Sequence, residues 1–259
     1  MNRIDEKFIT LKSQKRQALI GYFTAGDPDE LTSLKTISAA CEAGLDILEI
    51  GVPFSDPTCD GPVIQEASQR ALANGMTLTK VLNMVAEFRK AHDTPIVIFS
   101  YYNPIFKYGV ERFAEAISNV GVDGVLIVDL PVEENKELSA ILKTKDIRII
   151  NLVAPTTTQE RLQKICSVSE GFLYVISRTG VTGTGGIDYD SIIKHVEEIK
   201  TCATCPVCVG FGISTRDDVQ KLCNHVDGVI VGSAFVKLSA ATPSNNLPAI
   251  TADKVRELK

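Results

Sequence analysis

No stretch of this chain of 259 residues stays apolar for the roughly 18 residues that a membrane-crossing helix needs. There is no basic patch of the kind that holds nucleic acid and no acidic run of the kind that keeps a tail unfolded. Acids and bases are interspersed, and the net charge is −5. The opening MNRIDEKFITLK is charged and amphipathic, unlike a signal peptide. Histidine is scarce. His92, His195 and His225 fall at helix or strand-start positions, away from the end where chemistry is expected, and read as surface residues. Cysteine is present but does not form a framework. The seven are odd in number and, with no sign of secretion, read as free thiols. Cys202, Cys205 and Cys208 have C-x2-C-x2-C spacing, yet a cluster needs a fourth ligand close behind. VGFGIS follows instead, and Cys208 sits inside the apolar run PVCVGF. The expectation is a cytoplasmic protein with no metal, no nucleic acid and no membrane.

What is there is ordinary in bulk, 44% hydrophobic and 23% charged, and regular in order. Eight short apolar runs recur between turn residues: ALIGYFTAG, LDILEIGVP, TPIVIFSYYN, VDGVLIVDLP, IRIINLVAP, GFLYVISRTG, CPVCVGFGIS and VDGVIVGSA. Rich in Val and Ile, they read as strands buried on both faces. Amphipathic stretches such as PDELTSLKTISAACEAG lie between them. Strict alternation implies a parallel sheet, and eight units at this length predict a single α/β domain over 1–259, a (β/α)8 TIM barrel. A doubly wound sheet is the competitor. Ser239 to Lys254 reads as a polar loop before a short C-terminal helix.

In a barrel, chemistry sits at the C-terminal ends of the strands. There the stretch EIGVPFSDPTCDGPVIQ ends a strand in a carboxylate, Glu49, and follows it with a loop stiffened by Pro53 and Pro57 and carrying Asp56 and Asp60. Ile47, Glu49 and Gly51 share one strand face, and Leu48 and Ile50 share the other. If the second face meets the helices, Glu49 points into the barrel mouth. Apolar surroundings would raise its pKa toward the range that suits proton transfer near neutral pH. A rim ion pair is the alternative. Asp60 reads as a rigid acceptor for a ligand N–H, or else as a turn or a helix N-cap before PVIQEASQRA. Cys59 lies between two acids, which disfavour a nucleophilic thiolate.

Three glycine-rich loops fall at the same end. GFGIS (Gly210 to Ser214) follows the seventh run, GSA (Gly232 to Ala234) follows the eighth and opens a helix, and SRTGVTGTGG (Ser177 to Gly186) follows the sixth. Backbone N–H groups after strands seven and eight form the usual barrel phosphate site. The third loop is long enough for a lid.

LEIGVPFSDPTCDGPVIQ resembles the signature of the tryptophan synthase alpha subunit family. So do GYFTAGDP, YYNPIFKYG, VDGVLIVDLPVEE, APTTTQERL, RTGVTG and GFGIS, across roughly residues 1–237. The resemblance implies a lyase that cleaves indole-3-glycerol phosphate to indole and glyceraldehyde 3-phosphate by a retro-aldol step. In that reaction the ring is protonated at C3 before the side-chain hydroxyl loses its proton. Glu49 matches the proton-shuttling acid of the family and Asp60 the acid that holds the indole N–H. Thr182 matches a lid threonine that orients that aspartate. Gly183, Gly212, Gly232 and Ser233 match the phosphate cradle. Tyr22, Tyr101, Tyr174 and Phe211 fall at positions lining the indole pocket.

The resemblance also implies an α2β2 assembly with a beta subunit that holds pyridoxal phosphate and receives the indole, so no cofactor is expected in this chain. Asp56 is the expected partner contact. Cys59 stands where the family commonly has Ala, and the lid lacks a basic residue often found after GVTG. The competing readings are a free-standing lyase, a non-catalytic regulatory subunit and another phosphate-binding barrel such as an isomerase or epimerase. The retained Glu49, Asp60 and phosphate glycines argue against the regulatory subunit.

Overall fold

The β-branched runs form strands and the amphipathic stretches between them form helices. The computed structural model describes residues 1–176, 188–210 and 212–259. Among these, the strands are β1 (Ala18–Thr24), β2 (Ile47–Gly51), β3 (Ile96–Ser100), β4 (Gly124–Ile127), β5 (Arg148–Ile149), β6 (Asn151–Val153), β7 (Leu173–Ile176), β8 (Val207–Gly210) and β9 (Gly228–Val231). The helices are α1 (Arg3–Ser13), α2 (Glu30–Glu42), α3 (Pro62–Ala73), α4 (Leu78–Arg89), α5 (Tyr102–Tyr108), α6 (Val110–Asn119), α7 (Lys136–Lys143), α8 (Gln159–Val168), α9 (Tyr189–Lys200), α10 (Arg216–Leu222), α11 (Ser233–Ala241) and α12 (Leu247–Leu258).

Every strand pairing is parallel, in the order β5-β4-β3-β2-β1-β9-β8-β7-β6. Nine segments stand where eight runs were expected because the fifth run is broken at one residue. Its first half pairs with β4 and its second with β7. Ile150, between the halves, donates its N–H to the Val125 carbonyl at 2.9 Å. The two ends of the sheet therefore meet in one continuous piece of chain, which closes the expected eightfold barrel.

Alternation along the strands sorts their side chains into two layers. Ile20, Ile47, Val97, Leu126, Ile150, Cys208 and Ile230 fill the interior. α1 plugs the end where the strands begin, with Ile4, Phe8 and Leu11 packed into the same cluster. Leu48, Ile50, Ile96, Ile98, Val125 and Val229 face outward to the helices. The face assignment for β2 is thereby met.

Two expectations need correction. The stretch from Ser239 to Lys254 is mostly helical: α11 reaches Ala241 and α12 starts at Leu247. Leu247, Thr251, Val255 and Leu258 recur at helical spacing and are buried, and α12 packs on α2. Polar residues on the other face hide that stripe. The histidines are half-buried rather than surface residues. His92 stacks on Phe88 with ring centroids 4.5 Å apart, and His195 and His225 lie 3.8 and 3.9 Å from Glu198 and Glu197.

The plugged end also holds three carboxylates, each just before a strand. Asp46 accepts the Leu19 amide at 3.0 Å, Asp123 the Ile96 amide at 2.8 Å and Asp227 the Val207 amide at 2.8 Å. Asp123 also takes Arg3 at 2.8 Å and Arg89 at 2.6 Å. These acids tie neighbouring strands together.

Candidate active site

β2 carries Glu49 inward at the open end of the barrel. Its Cα neighbours across the sheet are Tyr22 on β1 and Val97 on β3. The side chain is fully buried, and among the described residues neither carboxylate oxygen has a hydrogen-bond partner. Among the described residues Glu49 forms no rim ion pair. Burial with no compensating donor raises the Glu49 pKa to about 8. The group is mostly protonated at neutral pH and able to give up its proton just above it.

Asp60 is held by a loop with several fastenings. The Thr58 amide bonds the Asp56 carbonyl at 2.9 Å, and the Asp60 amide bonds the Pro57 carbonyl at 3.1 Å. Gln65, one turn into α3, donates to the Asp60 carbonyl at 2.8 Å. The cap of α3 is Gly61, and no side chain bonds its first turn. Asp60 is thus not an N-cap, and its carboxylate is left for other work. Burial raises its pKa to about 6, and a hydrogen bond from the Tyr101 hydroxyl works in the opposite direction. The same hydroxyl accepts the Cys59 amide at 2.9 Å, so Tyr101 joins the loop backbone to the Asp60 carboxylate. Phe54 packs against the Tyr101 ring at 5.1 Å.

Burial and hydrogen bonding set the two acids apart, with Glu49 at about 8 and Asp60 at about 6. At neutral pH one is chiefly an acid and the other chiefly a carboxylate, a pairing that suits proton donation at one atom and cation stabilisation at another.

Tyr22 and Tyr174 stand on either side, both buried. A side chain on Gly51 would overlap the Tyr22 hydroxyl, and one on Gly210 would overlap the Tyr174 hydroxyl. The glycines at these strand ends make room for phenols. That use of Gly51 was not read from the sequence, although a glycine two residues after an inward Glu is a visible cue. Phe99, which meets the Tyr22 ring edge-on at 5.1 Å, was also missed.

The anion elements lie beside this mouth because β8 and β9 are neighbours. Gly212 has φ +87°, a conformation that side chains disfavour. The loop behind it is anchored by Asp218, which accepts the Ser214 and Thr215 amides at 2.8 Å each. Gly232 caps α11 without a side-chain bond. The Phe235 and Val236 amides turn back to the Gly232 carbonyl, while those of Ser233 and Ala234 have no partner among the described residues. Unpartnered amides at a helix start can hold an anion such as a phosphate. Thr182, Gly183 and Phe211 lie outside the described residues. Asp56 is exposed, and its carboxylate accepts the neighbouring Ser55 hydroxyl at 2.5 Å. All seven cysteines are free, with Cys59 exposed and Cys208 buried. No group of three or more potential metal ligands is gathered among the described residues.

The family model for the tryptophan synthase alpha chain matches residues 8–257. The chain belongs to the tryptophan synthase alpha chain family. The alpha chain of Desulfosudis oleivorans is 51% identical, with the match covering all of this chain and 98% of that relative. A crystal structure of the alpha subunit from Legionella pneumophila superposes with a TM-score of 0.90 at 34% identity, covering 100% and 98% of the two chains. The alpha chain fold also matches a structure from the tryptophan synthase α2β2 complex of Pyrococcus furiosus. There the TM-score is 0.83 at 40% identity, covering 93% of this chain and 97% of that one.

Proposed function

We infer that this chain is the lyase subunit of tryptophan synthesis, cleaving indole-3-glycerol phosphate to indole and glyceraldehyde 3-phosphate. The observation that carries the residue assignment is Glu49: fully buried, without a partner among the described residues, and facing the mouth from a strand end. In its resting protonated form it delivers a proton to C3 of the indole ring. The resulting carboxylate then takes the proton of the side-chain hydroxyl as the C–C bond breaks, and the electron pair returns to the ring. One group thus gives and regains a proton, which calls for a pKa near the working pH. Asp60, held by Tyr101 and the loop, accepts the ring N–H and stabilises the positive charge of the protonated ring. Gly183, Gly212, Gly232 and Ser233 seat the phosphate, and Thr182 orients Asp60. Tyr22, Tyr101, Tyr174 and Phe211 enclose the indole.

The chain works in an α2β2 assembly with a beta subunit, as the Pyrococcus relative does. Pyridoxal phosphate belongs to that partner. Asp56, exposed on the catalytic loop, meets a cation there. The cytoplasm is the proposed compartment; among the described residues no helix is long and apolar enough to cross a membrane. The test is indole release from indole-3-glycerol phosphate, measured with and without a beta subunit. Glu49→Gln should stop turnover in both conditions while leaving phosphate binding intact. Release that persists within about tenfold of the parent, against the ~10²–10⁴ expected of a general acid–base, overturns the Glu49 assignment.

A further inference from the structure

Tyr22 is more than a wall of the indole pocket. Its ring is fixed edge-on to Phe99, and its Cβ lies 3.5 Å from where a side chain on Gly232 would begin. It therefore stands between the phosphate seat and Glu49, its register partner on β2. The hydroxyl is buried over Gly51, where only a glycine leaves room. Among the described residues its one hydrogen-bond contact is the Thr24 hydroxyl, which donates to it at 3.5 Å, too long for a good O–H···O bond. It does not bond Glu49 either, since both oxygens of that carboxyl lack partners among the described residues. The Glu49 carboxyl and the Tyr22 O–H, on adjacent strands, thus face the same space, the first with no partner and the second with no acceptor among the described residues. Buried donors are normally satisfied, so a poorly partnered one at a ligand site points to a partner supplied by the ligand.

We propose that Tyr22 is a further catalytic residue, its hydroxyl donating a hydrogen bond to the substrate oxygen whose proton Glu49 removes. The proposal rests on the Glu49 assignment above. An alcohol oxygen needs both groups: it gives its proton to the carboxylate and accepts one hydrogen bond from the phenol. As the O–H and C–C bonds break, this oxygen becomes the aldehyde oxygen and gathers negative charge on the way. A donor already in place stabilises that charge. The phenol keeps its own proton throughout, because burial and then the charge of Asp60 hold its pKa well above the ordinary tyrosine range.

Tyr22→Phe keeps the ring and removes only the hydroxyl. In the full chain, kcat/KM for indole-3-glycerol phosphate should fall about 10- to 100-fold, mostly in kcat, with or without beta subunit. Affinity for an indole alkyl phosphate that has no side-chain hydroxyl should stay within about twofold, because that ligand offers no oxygen to accept the bond. Turnover of Tyr22→Phe within about twofold of the parent overturns the proposal. So does an equal loss of affinity for the hydroxyl-free ligand, which would make the phenol a matter of pocket shape. Glu49→Gln run in parallel separates the two claims. If it is inactive while Tyr22→Phe matches the parent, the Tyr22 proposal alone fails; if it is active, the Glu49 assignment fails first.

Discussion

The two ends of the barrel treat buried carboxylates in opposite ways. At the plugged end Asp123 is buried, and it accepts bonds from Arg3, Arg89 and the Ile96 amide. At the open end Glu49 is buried just as deeply and has no partner among the described residues. The first arrangement stabilises a charge and uses it to hold strands in place. The second stabilises the neutral acid and keeps both oxygens free for a ligand. Burial alone separates neither case; the partner list does.

The sharpest way to break this comparison is to remove each acid. Glu49→Gln should cost ~10²–10⁴ in turnover with the fold intact, measured by indole release and melting temperature. Asp123→Ala should do the reverse. It leaves the Arg89 guanidinium, whose side chain is only 10% exposed, without its counter-charge. A loss of about 3–5 kcal/mol in denaturant unfolding is expected, with near-normal turnover in whatever remains folded. The pH dependence of stability sharpens the contrast. Between the ordinary carboxyl value of 4.5 and about 8, the folded chain holds a proton on Glu49 that the unfolded chain releases. Stability therefore falls as pH rises through that window. Glu49→Gln should remove the Glu49 share of this slope, leaving that of Asp60 below about 6 and gaining on the parent by on the order of a few kcal/mol between pH 5 and pH 8.

Asp60→Asn should come next, lowering kcat far more than it raises KM, because its charge is needed when the ring becomes positive. A rise in KM alone would make Asp60 a binding residue. Gly232→Ala tests the proposed phosphate seat with little risk to the fold, since the nearest described atom to the added methyl is the Tyr22 Cβ at an ordinary 3.5 Å. Glycerol phosphate affinity should fall about tenfold, ~1.4 kcal/mol, with indole affinity unchanged in titration calorimetry. The smallest expected effect is that of Asp56→Ala. It should leave the isolated rate nearly unchanged and blunt the rise on adding beta subunit, by ~1 kcal/mol or less if the contact is a rim ion pair.

How much of this could be read from the residues depended on periodicity. The runs of Val and Ile placed the strands, and the alternation in DILEIG put Glu49 on the inner face before any coordinates. The fifth run, IRIINLVAP, gave no sign that its pairing breaks at Ile150, because a single-residue break leaves composition unchanged. α12 was hidden by the polar face of TPSNNLPAITADK, although Leu247, Thr251, Val255 and Leu258 hold the stripe. The roles of the acids were legible only in part. Glu49 as rim ion pair and Asp60 as N-cap both stayed open, because partners such as Tyr101 and Gln65 arrive from other elements. Asp46, Asp123 and Asp227 passed unnoticed for the same reason, since their partners are amides on neighbouring strands.

The central claim is that Glu49 rests protonated at the mouth of the barrel and titrates near the working pH. Infrared difference spectra of the parent against Glu49→Gln read that carboxyl directly. A protonated-carboxyl band present in the parent at pH 6, absent from the variant and lost with a midpoint near pH 8 is the expected result. A band that disappears with a midpoint near the ordinary 4.5 would leave Glu49 ionised at neutral pH and contradict the account.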